Sequence, residues 1–165
     1  MEISLYHKSF ARSGFDCGVL ALNDFLQKRL SQELKARSCA CYVLHEENEK
    51  RVLGYYTLSA SQVVATHFEG IEKRLPRYPD IPVTLIGRLA ICSSQQGKGL
   101  GGVLLADAIK RAYDNSEVIG ACAIVVDAKD ANAVAFYQRY GFQQFAEDQM
   151  KLCLMMKTAK QLVEL

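Results

Sequence analysis

Apolar positions recur along this chain at different periods, and each period predicts an element. In DCGVLALNDFLQKRLSQELK, Val19, Leu22, Leu26 and Leu30 form one stripe at about 100° per residue, which predicts an amphipathic helix with Asp16 as its N-cap. ACYVLHE and RVLGYYTLSA are β-rich segments separated by the polar EENEK, the pattern of a hairpin. LPRYPDIP carries Pro76, Pro79 and Pro82 and reads as loop, because proline donates no backbone hydrogen bond. VTLIGRLAI predicts a strand, SSQQGKGLGG a turn, and the following residues a helix through about Ala112. VIGACAIVVDA, an almost unbroken apolar and β-branched run, predicts a buried strand. ANAVAFYQRYG is helical and ends at Gly141 as a C′ glycine, and a last strand lies around KLCLMMK. Alternating strands and helices over the C-terminal half predict an α/β fold with some parallel pairing. At 165 residues the expectation is a single domain over 1–165.

Composition narrows the classes. No stretch approaches the roughly 20 uninterrupted apolar residues of a membrane span. MEISLYHKSF lacks the basic-then-apolar order of a signal peptide, so the expected compartment is the cytoplasm. Cys39 and Cys41 alternate within a predicted strand, while Cys17, Cys92, Cys122 and Cys153 are scattered through apolar segments, so the six read as small buried hydrophobes. There is no CxxC, and His7, His45 and His67 form no helical metal pair, so neither a disulfide framework nor a metal site is expected. The net charge of +2 decides little, but its distribution says more. Lys28 and Lys35 fall opposite the first helix's apolar stripe; Arg29, Arg37, Lys73, Arg74 and Arg77 add positive charge, and Arg88 sits in IGRLA. A solvated helix face explains the two lysines equally well, and a pI near 8.2 is low for a dedicated nucleic-acid domain.

The chemistry concentrates in QQGKGLGG, residues 95–102. Glycine is a poor helix former, so Gly97, Gly99, Gly101 and Gly102 at the mouth of a helix need a reason. A glycine-rich turn from strand to helix aims backbone N–H groups one way, and the helix dipole adds positive charge there; together they bind phosphate. The Walker pattern fails because Gly99 follows Lys98 where Ser or Thr is required. Gly97, Gly99 and Gly102 match a dinucleotide fingerprint, with Asp127 ending a later strand, yet SSQQ separates the strand from the first glycine. The chain left after the loop is also too short for the usual paired halves.

Gln96-x-x-Gly99-x-Gly101 matches the Q/R-x-x-G-x-G/A signature of the GNAT N-acetyltransferase superfamily, and AFYQRYGF resembles that superfamily's later tyrosine-containing helix. With FDCGVLALNDFL, GYYTLSA, IGRLAI and VVDAKDANAVAFYQRYGF, from about Phe15 to Phe142, the chain resembles the acetyltransferase toxins of bacterial type II toxin–antitoxin modules, the TacT and AtaT type. The resemblance implies a GNAT fold, in which a mixed central sheet splays at an acetyl-CoA cleft between flanking helices. It implies that the pantetheine arm pairs with backbone of Leu89, Ala90 and Ile91. The pyrophosphate would rest on Gly97, Lys98, Gly99, Leu100, Gly101 and Gly102, with Gln96 starting the turn.

The same resemblance implies that a neutral amine attacks the thioester, that a backbone N–H near Ile91 steadies the oxyanion, and that Tyr137 protonates the leaving thiolate. Tyr140, a turn further on, is the other tyrosine able to serve. Asp130 stands where many GNAT enzymes carry a cofactor-contacting Asn; its charge would repel a pyrophosphate, so it is expected to cap the helix instead.

The resemblance further implies aminoacyl-tRNA as substrate, acetylated on its free α-amine so that translation stops, with Lys28, Arg29, Lys35, Arg37 and Arg88 available to its phosphates. It implies a ribbon-helix-helix antitoxin partner and a homodimer. Two other functions fit the same residues: a housekeeping GNAT enzyme acting on a small amine or protein N-terminus, and a non-catalytic module binding acyl-CoA or a dinucleotide.

Overall fold

The computed structural model describes residues 1–165. Seven strands are present: β1 (Glu2–Leu5), β2 (Ala40–His45), β3 (Gly54–Val64), β4 (Asp80–Ile91), β5 (Ala123–Asp127), β6 (Gln143–Gln144) and β7 (Lys151–Met155). They form one sheet in the order β1-β2-β3-β4-β5-β7-β6. The sheet is mixed: β4 and β5 run parallel, whereas β1–β2, β2–β3, β5–β7 and β6–β7 are antiparallel. The α-helices are α1 (Leu20–Asp24), α2 (Leu30–Lys35), α3 (Leu100–Ser116), α4 (Ala131–Gln138) and α5 (Met156–Val163). The backbone divides into two compact units, Met1–Ser59 with Gly87–Ala108, and Ala60–Ile86 with Ile109–Leu165.

In the first unit the expected hairpin is β2–β3, in register from Ala40↔Leu58 to Leu44↔Gly54, and β1 adds to the other edge of β2. The first helix departs from its prediction. It starts at Leu20 behind Val19, which offers no side-chain cap, and the carboxylate of Asp16 turns elsewhere. Its middle, Phe25–Arg29, is a π-helical turn that separates α1 from α2. The wider turn places Phe25 beside Leu26 and Leu30 in the core, and leaves Val19 and Leu22 only partly buried. Phe10, Phe15, Tyr55 and the thiols Cys17, Cys41 and Cys92 complete this core. Gly54 is required for close approach: a Cβ there would stand 2.7 Å from Ile91 Cδ1 and 3.0 Å from the Ala90 carbonyl oxygen.

In the second unit the first half of β4 pairs with β5, from Val83↔Ala123 to Ile86↔Val126, and β7 covers the other edge of β5. Pro82 lies inside β4 and not in the loop, its carbonyl accepting the Cys122 N–H at 2.8 Å. α3 runs on to Ser116, past Ala112. The strand expected over VIGACAIVVDA begins only at Ala123, and Val118 and Ile119 are exposed (79% and 67%). The chain ends not on a strand but on α5, directly after β7. Phe68, Ile81, Val83, Val125, Phe145 and Cys153 form this unit's core. All six cysteines are free, and no helix is long and apolar enough to cross a membrane.

Candidate active site

The residues expected to seat a cofactor all fall in the first unit. The ladder of β4 with β5 stops at Ile86, and β4 runs on through Leu89 and Ala90 to Ile91. The peptide after Ile91 is held at both polar atoms: its C=O accepts from Gln96 Nε2 at 2.9 Å, and the Cys92 N–H donates to Leu53 O at 2.8 Å. An oxyanion donor near Ile91 is therefore not the Cys92 N–H. A short 3₁₀ turn, Ser93–Gln95, follows, and then the glycines.

Gly97 and Gly99 both have φ of +77°, a region that costs a residue with a Cβ about 1–2 kcal/mol. A Cβ at either position would meet nothing within 4 Å, so packing does not explain these glycines. Torsion does, together with open space over the main chain. α3 begins at Leu100, with the Val103 N–H reaching back to Gly99 O, so the N–H groups ahead of Val103 have no partner inside the helix. Left-handed turns at the positive end of a helix of this length form an anion seat. Lys98 Nζ lies 3.2 Å from Gln95 Oε1, on the exposed side of the loop.

The FDCG turn is tied to this segment. Asp16 accepts from the Gly18 N–H at 2.8 Å and from Asn23 Nδ2 at 2.9 Å, and these two bonds hold its carboxyl below the usual carboxylate range. Asn23 Oδ1 accepts from the Cys17 N–H at 2.9 Å. Gln96 Nε2 also donates to Cys17 O, again at 2.9 Å, and the Ser93 N–H donates to Asp16 O at 2.8 Å.

The basic residues are brought together in part. The Arg88 guanidinium sits 3.6 Å from the centre of the Phe25 ring and that of Arg29 5.7 Å from the same ring. Arg29 also pairs with Glu33 at 3.2 Å, and Lys28 with Asp24 at 3.1 Å. Lys35, the last residue of α2, and Arg37, just beyond it, are exposed, Arg37 in a left-handed conformation. Phe25 as a shared platform for two guanidinium groups is not readable from spacing, since Arg88 arrives from a distant strand.

In the second unit, Asp130 caps α4 by accepting the Ala133 N–H at 2.8 Å, as its charge led one to expect. Tyr137, one residue before the end of α4, is only 7% exposed, its ring packed edge-on against Phe136 and Phe142. Its hydroxyl has no protein partner, yet no buried side-chain oxygen or nitrogen lacks one. The phenol oxygen therefore opens to the surface at the tip of a buried ring. Burial, helped by the Asp127 carboxylate, pushes the Tyr137 pKa up to about 12, which keeps the group a proton carrier. Tyr140 is half-buried beyond the helix end, its ring against Phe136.

The sequence profile for the "Acetyltransferase (GNAT) domain" matches residues 16–156. The chain belongs to the GNAT acetyltransferase family. Within it, a "tRNA-acetylating toxin" of Mycobacterium tuberculosis is 36% identical over 152 residues, 92% of this chain and 89% of the relative. Two solved structures share the fold over 98% of this chain: AtaT complexed with acetyl-methionyl-tRNAfMet (30% identity, 98% of that chain, TM-score 0.89) and a tyrosine-to-phenylalanine AtaT toxin bound to the C-terminus of the antitoxin AtaR (31%, 96%, 0.83). GNAT membership makes the chain an acetyl-CoA-dependent acetyltransferase on the mixed sheet described above.

Proposed function

We propose that this enzyme acetylates the α-amino group of aminoacyl-tRNA and acts as the translation-blocking toxin of a toxin–antitoxin pair. The observation that carries the substrate is the likeness, over nearly the full length, to a protein named for acetylating tRNA. Acetyl-CoA supplies the activated acetyl group, and the protein's own residues divide the remaining work. Main-chain groups of Leu89, Ala90 and Ile91 take the pantetheine arm. The N–H groups from Gly97 to Gly102 take the pyrophosphate, with Lys98 beside them; the left-handed glycines and the open space over them support this role. Tyr137 Oη gives its proton to the departing sulfur, a role supported by its buried ring and unpartnered hydroxyl.

No strong base is required on the nucleophile, because an α-amino ester is less basic than a lysine and is substantially neutral near pH 7. Arg88, Arg29, Lys28, Lys35 and Arg37 lie in the unit that carries the glycine loop, and they supply positive charge for the tRNA backbone. The likeness to antitoxin-bound AtaT supports a protein antitoxin as partner, which we take to be of the ribbon-helix-helix class. A homodimer working in the cytoplasm completes the reading.

The test is transfer of labelled acetyl from acetyl-CoA to a mixed pool of charged tRNAs, with Tyr137→Phe alongside. Label on the amino acid of charged tRNA, lost in the variant, is the expected result. Label on small amines or protein N-termini, with none on tRNA, would overturn the substrate.

A further inference from the structure

The residues that set the spacing of the two cofactor seats are not the glycines. Gln96 has two amide hydrogens, and both are spent on main-chain carbonyls, Ile91 O on the strand and Cys17 O in the FDCG turn, each at 2.9 Å. The turn is itself braced: the Asp16 carboxylate accepts from Gly18 N–H and Asn23 Nδ2, and Asn23 Oδ1 accepts from Cys17 N–H. The Ser93 N–H then returns to Asp16 O at 2.8 Å. These bonds close a ring that runs from Ile91 through Gln96 to Cys17, through the turn to Asp16, and back to Ser93. The strand end and the residue that opens the glycine turn are thereby fixed to a common third segment.

We propose that Gln96, Asn23 and Asp16 are positioning residues for acetyl-CoA. By this ring they hold the strand that takes the pantetheine arm at a set distance and angle from the loop that takes the pyrophosphate. The inference rests on acetyl-CoA being the ligand of the glycine loop. It gives the FDCG segment a task that general GNAT architecture does not require of it. It also explains why position 96 tolerates Gln or Arg in the family signature: each side chain presents at least two N–H donors and no acceptor is needed at either carbonyl. A ligand that spans two seats loses affinity when they slip, whereas the proton donor Tyr137 belongs to another element and keeps its chemistry.

The experiment measures acetyl-CoA binding by calorimetry and steady-state KM and kcat for the wild type, Gln96→Leu, Gln96→Arg, Asn23→Ala and the Gln96→Leu/Asn23→Ala double variant. Gln96→Leu is expected to raise Kd and KM for acetyl-CoA by about tenfold, the loss of two ordinary hydrogen bonds, with kcat at saturation within about twofold. Gln96→Arg should stay within about threefold of the wild type in KM. The double variant should fall short of the product of the single effects, because both residues hold one ring. If Gln96→Leu does not fold, Asn23→Ala with Gln96→Arg carries the same test. Unchanged KM in Gln96→Leu and Asn23→Ala would overturn the proposal, as would a fall in kcat at constant KM, or an Arg variant as impaired as the Leu variant. Failure of the wild type to bind acetyl-CoA would instead overturn the cofactor reading beneath it.

Discussion

In the proposed function, the two units of the molecule contribute in opposite ways. In Met1–Ser59 with Gly87–Ala108 the groups proposed to hold the cofactor are main-chain atoms: carbonyls and N–H groups of a strand end, two left-handed glycines and the start of α3. The side chains of Asp16, Asn23 and Gln96 brace that main chain. In Ala60–Ile86 with Ile109–Leu165 the proposed work falls to one side chain, and the backbone around Tyr137 is an ordinary capped helix, α4. A site made of backbone is sensitive to torsion and hydrogen bonding and indifferent to what a side chain could have offered. A site made of one hydroxyl is sensitive to a single oxygen atom and to the burial that tunes it.

Four outcomes would break or sharpen that contrast. The largest concerns the single oxygen. Tyr137→Phe should lower kcat by about 10²–10⁴, the usual yield of a positioned acid, and leave acetyl-CoA affinity unchanged by calorimetry. A comparable loss of affinity would mean that the hydroxyl holds ligand and does not move a proton.

Next comes torsion: Gly99→Val should raise KM for acetyl-CoA by about tenfold while Gly99→Ala does less, since the penalty at φ +77° is about 1–2 kcal/mol for a simple side chain and larger for a branched one. As nothing lies within 4 Å of the added Cβ, neither variant should unfold the protein; a collapsed Tm would show that the loop is a packing element.

The third is the pH dependence of stability. Below pH 10 the Tyr137 phenol is protonated in both folded and unfolded chains and adds no slope. As pH rises from 10 towards about 12 the unfolded chain ionises first, so the stability gained from the buried neutral phenol is lost across that window. The wild-type urea midpoint should fall relative to that of Tyr137→Phe as pH rises through this range, and parallel profiles would contradict the burial argument.

The smallest effect is at the cap. Asp130→Ala should cost about 1 kcal/mol in denaturant unfolding and Asp130→Asn much less, with acetyl-CoA KM unchanged in both.

The same contrast governs how much could be read in advance. Gly97 and Gly99 announce themselves, because a need for positive φ is written in residue type; so do the β2–β3 hairpin, the buried β5 and the position of Tyr137. Asp130 was legible as a cap because its charge excludes the alternative. The misses share another cause, which is that their partners lie far away in the chain. Pro82 sits in a strand because that strand needs only its carbonyl, which the Cys122 N–H finds. Val118 and Ile119 look like strand and are exposed, since nothing in their own composition says where β7 pairing begins. β6 has too little sequence to show a period, and α5 follows β7 without a break because Met155 and Met156 serve either element. Asp16 looked like a cap and became part of the ring that includes Gln96, a contact across most of the first unit's sequence.

The π-helical turn at Phe25–Arg29 also bears on how related chains should be aligned and rebuilt. Such turns hold one residue more than an α-helical turn, the state left by a single-residue insertion into an existing helix. Deleting one residue there would restore regular α-helix and rotate everything after it by about 100° relative to what came before. Leu30 would swing out of the core, and Arg29 would leave the ring it shares with Arg88. A homologue lacking that residue would therefore be expected to show a gap inside this helix and not in a loop. In such a homologue the basic residues downstream would have to sit one position along to face the same way.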